Sequence, residues 1–225
     1  MQRPRALRDV SLSSFIVACV MWTIAIPPAD ARDDWQLWLE QRGSVKLSPT
    51  VKLVAKAEER FRDDMRRYYF QVGSVWVSWK ALPWLKLEPG YHHQWSEARN
   101  GSDAEEHRLF LAATPGWSVG RFHMEDRSRI EFRHIDGVDD WRYRNKGKLN
   151  VEVGARWYAC EPFVADEVFY GARAGEWTRN RFSIGIEKPL TKELSTELYY
   201  LIESNRRGRD WDAFHVLGVV MDVAL

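Results

Sequence analysis

The charged residues of this chain fall on one parity. From 121 to 134 the odd positions read Arg121, His123, Glu125, Arg127, Arg129, Glu131 and Arg133, and the even ones Phe122, Met124, Asp126, Ser128, Ile130 and Phe132. A strand turns successive side chains to opposite faces, so this spacing sets a charged wall back to back with a largely apolar one. Arg142, Arg144, Lys146, Lys148 and Glu152 repeat the pattern opposite Trp141, Tyr143, Leu149 and Val151. Arg181 and Glu187 oppose Phe182, Ile184 and Ile186; Lys56, Glu58 and Arg60 oppose Val51, Leu53, Ala55 and Phe61. Near the chain end Leu217, Val219, Met221, Val223 and Leu225 share a face. Guanidinium and carboxylate groups at this density either pair with one another or hold and pass small charged solutes.

Other chemistries are thinly supplied. His92, His93, His107, His123, His134 and His215 are scattered along the chain. Adjacent His92 and His93 point to opposite faces of a strand, as do Glu125 and Asp126, so no metal ligand set is assigned. Gly116 and Gly120 are read as turn residues, and no nucleophile elbow, zinc-protease helix or Cys-x-x-Cys pair is assigned. No cofactor and no catalytic residue are expected, and His123 is read as part of an ion network. A Ser–His–acid site depends on convergence in space. A rim hydrolase therefore stays open as an alternative, needing one His close to both a Ser and a carboxylate.

The elements that must carry the charged wall are strands. With 225 residues, 45% of them hydrophobic and 29% charged, the chain suits one barrel or sandwich. Strands are expected near 35–47, 51–61, 67–80, 84–97, 105–114, 121–134, 141–152, 161–171, 179–188, 195–204 and 212–224, each long enough to cross a bilayer when tilted. Residues 1–31 read as a cleaved signal peptide: Arg3, Arg5 and Arg8, an apolar run from Val10 to Ile26, Pro27-Pro28, then Ala29-Asp30-Ala31. A lipoprotein variant would use Cys19. Residues 32–225 form the barrel domain, with 30 basic and 30 acidic residues, so no nucleic-acid partner is expected. Cys160 is the one thiol left there and is read as a small strand-end residue.

Three features turn the alternation toward a membrane barrel. Trp35, Trp38, Trp76, Trp79, Trp84, Trp95, Trp117, Trp141, Trp157, Trp177 and Trp211 fall near expected strand ends, where headgroup-level girdles sit. Short connections (48–50, 81–83, 115–120, 189–193) are expected to alternate with longer polar ones (62–66, 98–104, 135–140, 172–178, 205–211). The last strand runs apolar to Leu225. Eleven strands conflict with the even count of bacterial single-chain barrels, so ten to twelve are expected, with either a strand missed or 35–47 pairing in another way.

The segment Arg127-Ser-Arg-Ile-Glu-Phe-Arg133, Arg142-Tyr-Arg144, Asp166-Glu167 before Val168-Phe169, Asn180-Arg181 and the early Trp35-to-Arg60 hairpin resemble the domain-of-unknown-function family 2490, over roughly 34–225. The resemblance implies an outer-membrane barrel of no agreed activity and carries over no catalytic residue.

The expectation is therefore an all-β, antiparallel transmembrane barrel in the bacterial outer membrane. Glu106, Arg108, Arg127, Arg129, Glu131, Arg133, Arg142, Arg144, Glu167 and Arg181 would form a lumenal ion network. Phe122, Ile130, Phe132, Phe182, Ile184, Ile186, Leu217, Val219, Met221 and Val223 would face lipid. Its partners would be membrane lipid, the barrel-insertion machinery during biogenesis and small charged solutes. A structural barrel or narrow pore leads; a hydrolase and a soluble periplasmic ligand binder are the alternatives. The soluble binder requires the reverse orientation, with Phe122, Ile130 and Phe132 buried and the arginines in water.

Overall fold

In a computed structural model, residues 34–153 and 160–225 are described, and the stretch expected to be a signal peptide and Trp157 lie outside them. The chain forms β1 (Trp35–Lys46), β2 (Val51–Arg62), β3 (Arg67–Leu82), β4 (Leu85–Glu97), β5 (Asp103–Val119), β6 (Phe122–Ile135), β7 (Val138–Val151), β8 (Glu161–Gly171), β9 (Glu176–Pro189), β10 (Leu194–Arg207) and β11 (Asp210–Ala224). Each pairs with its sequence neighbours, and β1 closes on β11 into a barrel. Ten antiparallel steps leave β1 and β11 running the same way, so the seam is parallel, from Trp35 opposite His215 to Ser44 opposite Ala224. The eleven segments read from periodicity are thus the eleven strands. Of the two explanations offered for the odd count, the missed strand is set aside; the first segment pairs otherwise than expected, in parallel with β11, and such a seam accommodates an odd number.

The expected alternation of short and long connections is not there either. Define the upper mouth by the turns after β2, β4, β6, β8 and β10, and the lower mouth by the others. Upper turns expected to be long include the two-residue hairpins 136–137 and 208–209. At the lower mouth β7 ends at Val151 and β8 begins at Glu161, a wider separation in sequence than at any upper turn. The physical reason is that polar residues flanking the apolar runs continue the ladder: β5, β7 and β10 extend beyond their apolar stretches. Asp136-Gly137 is itself a hairpin signal, and both residues take positive φ (47° and 83°), as a type I′ turn requires.

Parity sorts inside from outside. Glu131 has no exposed surface, whereas Ile130 and Phe132 beside it are 45% and 64% exposed. The interior is finished by rings lying over glycines. Tyr199 stands opposite both Gly185 and Gly218, and Phe110 opposite Gly90. A Cβ on Gly218 or Gly90 would collide with those rings. Glycine here is a bed for an aromatic side chain.

Candidate functional site: a cationic lumen

The interior is built around Glu131. Register places it opposite Arg142, and its carboxylate accepts from Arg142 Nε at 2.7 Å and an Arg144 terminal nitrogen at 2.9 Å. Arg108 and Arg129 each approach it to 3.7 Å. Glu167 takes Arg144 at 2.8 Å, Arg127 at 2.9 Å and Arg181 at 3.9 Å. Glu106 takes Arg133 at 2.6 Å and Arg108 at 2.7 Å. All ten residues expected in the lumen are brought together here, joined through shared arginines. Buried charges cost several kcal/mol each unless paired or kept wet, and a connected network supplies the pairing.

The expected network left out Glu203 and Arg179, and also Lys56, Glu58 and Arg60, although those three were placed on the charged face. Glu203 stands opposite Arg181 and binds it at 2.6 Å, with Arg179 at 3.7 Å. Glu58 binds Arg60 at 2.6 Å and Lys56 at 2.7 Å. The interior also holds aromatic rings. Phe169 is 1% exposed, with the guanidinium carbons of Arg144, Arg181, Arg142 and Arg179 at 4.5, 4.9, 5.3 and 5.5 Å from its centroid. Arg60 lies 3.5 Å over Trp38, and Arg129 lies 4.2 Å over Phe110. The negative ring face attracts cations, so these rings separate arginines that would otherwise repel. Trp38 and Trp76, expected near an outer girdle, are interior: Trp38 is 4% exposed and both border the lumen. Parity was the available signal, since Phe169 shares a face with Glu167, and Trp38 with Glu40.

Two cavities among the described residues bear on this site. The lumenal one, of about 550 Å³, is bordered by fourteen Lys and Arg side chains against eight Glu. The other, of about 780 Å³, opens at the upper mouth and is bordered by eight Arg against Asp140 and Glu203. Tyr69, Arg133, Arg142, Phe169, Arg179 and Glu203 border both. On the lumenal wall like charges face each other across the ladder: Arg127 opposite Lys146, Arg129 opposite Arg144. The Nε atoms of Arg127 and Arg129 are buried without a hydrogen-bond partner. Like charges directly opposite are destabilising, and an unsatisfied buried donor more so. An anion would relieve both.

The outward face carries the other expected set. Phe122, Ile130, Phe132, Phe182, Ile184, Ile186, Leu217 and Val223 are exposed there, and Val219 and Met221 are partly so.

Histidines stand beside acids at the lower rim and on the outer wall. At the lower rim Ser118 Oγ is 2.9 Å from His123 Nδ1, and His123 Nε2 is 3.6 Å from Glu125. Ser118 is the serine of Gly116-Trp117-Ser118-Val119-Gly120, a Gly-x-Ser-x-Gly string that the turn reading passed over. The string lies at the end of β5 and in a two-residue hairpin, not on a strand-to-helix turn. Lys86 holds the same Glu125 at 2.7 Å. Outside the barrel, His93, Glu105 and His107 converge although no metal ligand set was expected.

The profile of the family described as "Protein of unknown function (DUF2490)" matches residues 35–213, and the chain belongs to that family. No curated protein matches it. Among solved structures it is similar to the β-domain of the Bordetella autotransporter BrkA, with 10% identity, TM-score 0.45 and coverage of 76% of this chain and 83% of that one. It is also similar to LpxR from Salmonella typhimurium, with 9% identity, TM-score 0.47 and the same 76% and 83% coverage.

Proposed function

We propose that this chain is an outer-membrane barrel whose ion-paired interior stiffens the wall and leaves a narrow passage favouring small anions. The membrane setting is supported by an inside-out distribution: large apolar side chains cover the outside while charges fill the lumen. A soluble binder would show the reverse. The anion preference rests on one observation, the like-charged ladder pairs of Arg127 with Lys146 and Arg129 with Arg144 on a wall with excess cations. Phe169, almost wholly buried, borders both cavities, which favours a narrow passage over a wide porin channel. Reconstituting the purified barrel in a planar bilayer under a KCl gradient tests this. Small conductance with a chloride-sided reversal potential is expected, and Arg127→Ser with Arg129→Ser should move that potential toward zero. A cation-sided potential would overturn the anion preference, and no conductance at all would remove the passage and leave a closed structural barrel.

Ser118, His123 and Glu125 favour a second reading, a hydrolase at the lower rim. Serine meets Nδ1 and the acid meets Nε2, the reverse of the usual triad, so a ring flip is needed for the usual hydrogen-bond pattern. Covalent labelling by a fluorophosphonate, lost in Ser118→Ala, would support it. An unlabelled wild-type barrel would exclude an activated serine.

A further inference from the structure

We propose that His93, Glu105 and His107 form a site for one first-row divalent ion of the zinc type on the outer wall of the barrel. Glu105 and His107 are two apart on β5 and share its outer face; His93 stands directly opposite His107 on β4. The two imidazoles are stacked, with centroids 4.7 Å apart and planes within 7°. Stacking turns both Nε2 atoms to one side, where Glu105 Oε1 lies 2.7 Å from that of His93 and 3.6 Å from that of His107. All three donors lie within 4.8 Å of one another. Tetrahedral zinc with bonds near 2.0–2.1 Å asks its ligands to stand roughly 3.3 Å apart, so small side-chain rotations suffice.

A further contact points to a ligand. The Tyr91 hydroxyl sits 2.6 Å from His107 Nδ1. Metal-bound histidines use the second ring nitrogen in this way, which fixes the tautomer and turns Nε2 toward the ion. Two imidazoles and one carboxylate suit zinc, while calcium and magnesium ask for more oxygens. The fourth position faces outward and is open to water. The site is also reachable. Its ladder row, His93–His107–His134–Asp139, lies just mouthward of the Tyr91–Leu109–Phe132–Trp141 row, where apolar side chains give way to polar ones.

Nothing in the sequence order announced this set. His93 and His107 lie on different strands, and only the β4–β5 register makes them neighbours. The site is independent of the lumen and of the solute it passes.

The test uses the untagged, full-length barrel in detergent, stripped with a chelator and titrated with Co²⁺ alone. One Co²⁺ per chain is expected, with the intense visible absorption of four-coordinate cobalt, displaced by Zn²⁺ and not by Ca²⁺. His93→Gln and His107→Gln should each weaken binding at least tenfold, and Tyr91→Phe by about 10–100-fold as the loss of an orienting partner. His134→Gln should bind as wild type does. Because these side chains are exposed, each variant should keep the wild-type mobility difference between boiled and unboiled samples. No Co²⁺ uptake, displacement by Ca²⁺, or undiminished binding in the His93→Gln/His107→Gln double variant would overturn the site.

Discussion

At the scale of single residues, the interior is a set of carboxylates each shared by several guanidinium groups, and Glu131 is the most shared. It has no exposed surface and four arginines within 3.7 Å. Removing its charge leaves Arg142 and Arg129 without their anionic partner, which in a dry interior costs about 3–5 kcal/mol. The neighbouring cavity lets water reach part of the network, so the lower figure applies, and Glu131→Gln should destabilise the barrel by about 3 kcal/mol. The check is its urea unfolding midpoint in lipid or detergent. Arg67, paired with Glu97 at the exposed rim, provides the contrast: Arg67→Gln should shift stability by less than about 1 kcal/mol. A small effect at Glu131 would mean that water, not arginine, solvates that carboxylate. Glu131 was legible from parity alone, because its strand alternates without a break. Phe169 and Trp38 were not, because an aromatic side chain in a barrel sequence suggests the outside. Only their parity with Glu167 and Glu40 says otherwise, and pattern reading weighted residue type above parity there.

At the scale of the element, strand number and placement were legible, and strand ends were not. Alternation marks a strand's middle, while its ends depend on turn chemistry such as Asp136-Gly137, which closes a hairpin where a polar loop was expected. Closure was also hidden, because no local pattern says which strand pairs with β1. The parallel seam puts Leu39 opposite Val219. Neighbouring strands run about 4.8 Å apart, within the Cα separation a disulfide tolerates. In a Cys160→Ser background, Leu39→Cys with Val219→Cys should therefore oxidise to a cross-linked barrel with altered gel mobility. Leu39→Cys with Met221→Cys is offset by two positions, roughly 8 Å, and should stay reduced. The opposite preference would mean a different closing register and a different lumen.

At the scale of the whole molecule, the question is what medium surrounds the wall. Leu109, Leu111, Ile130, Phe132, Phe182 and Ile184 are each 42–64% exposed on the outer surface. Soluble proteins rarely leave so continuous an apolar surface in contact with water. A bilayer removes the difficulty and explains why the polar groups turned inward, where backbone closure leaves no open sheet edge. Ile130→Arg separates the two settings cleanly because Ile130 touches the medium and not the lumen. In lipid, arginine near mid-depth should destabilise the barrel by about 2–4 kcal/mol and reduce its recovery in outer-membrane fractions. In water the same substitution places a charge on an exposed position, where surface changes fall within about 0.5 kcal/mol, and solubility should rise. Membrane fractionation with boiled and unboiled samples reads both outcomes. Recovery of a stable Ile130→Arg variant in the soluble fraction would end the membrane reading while leaving the Glu131 network intact. The inner wall is held by its own ion pairs, and only the outer wall depends on what lies around it.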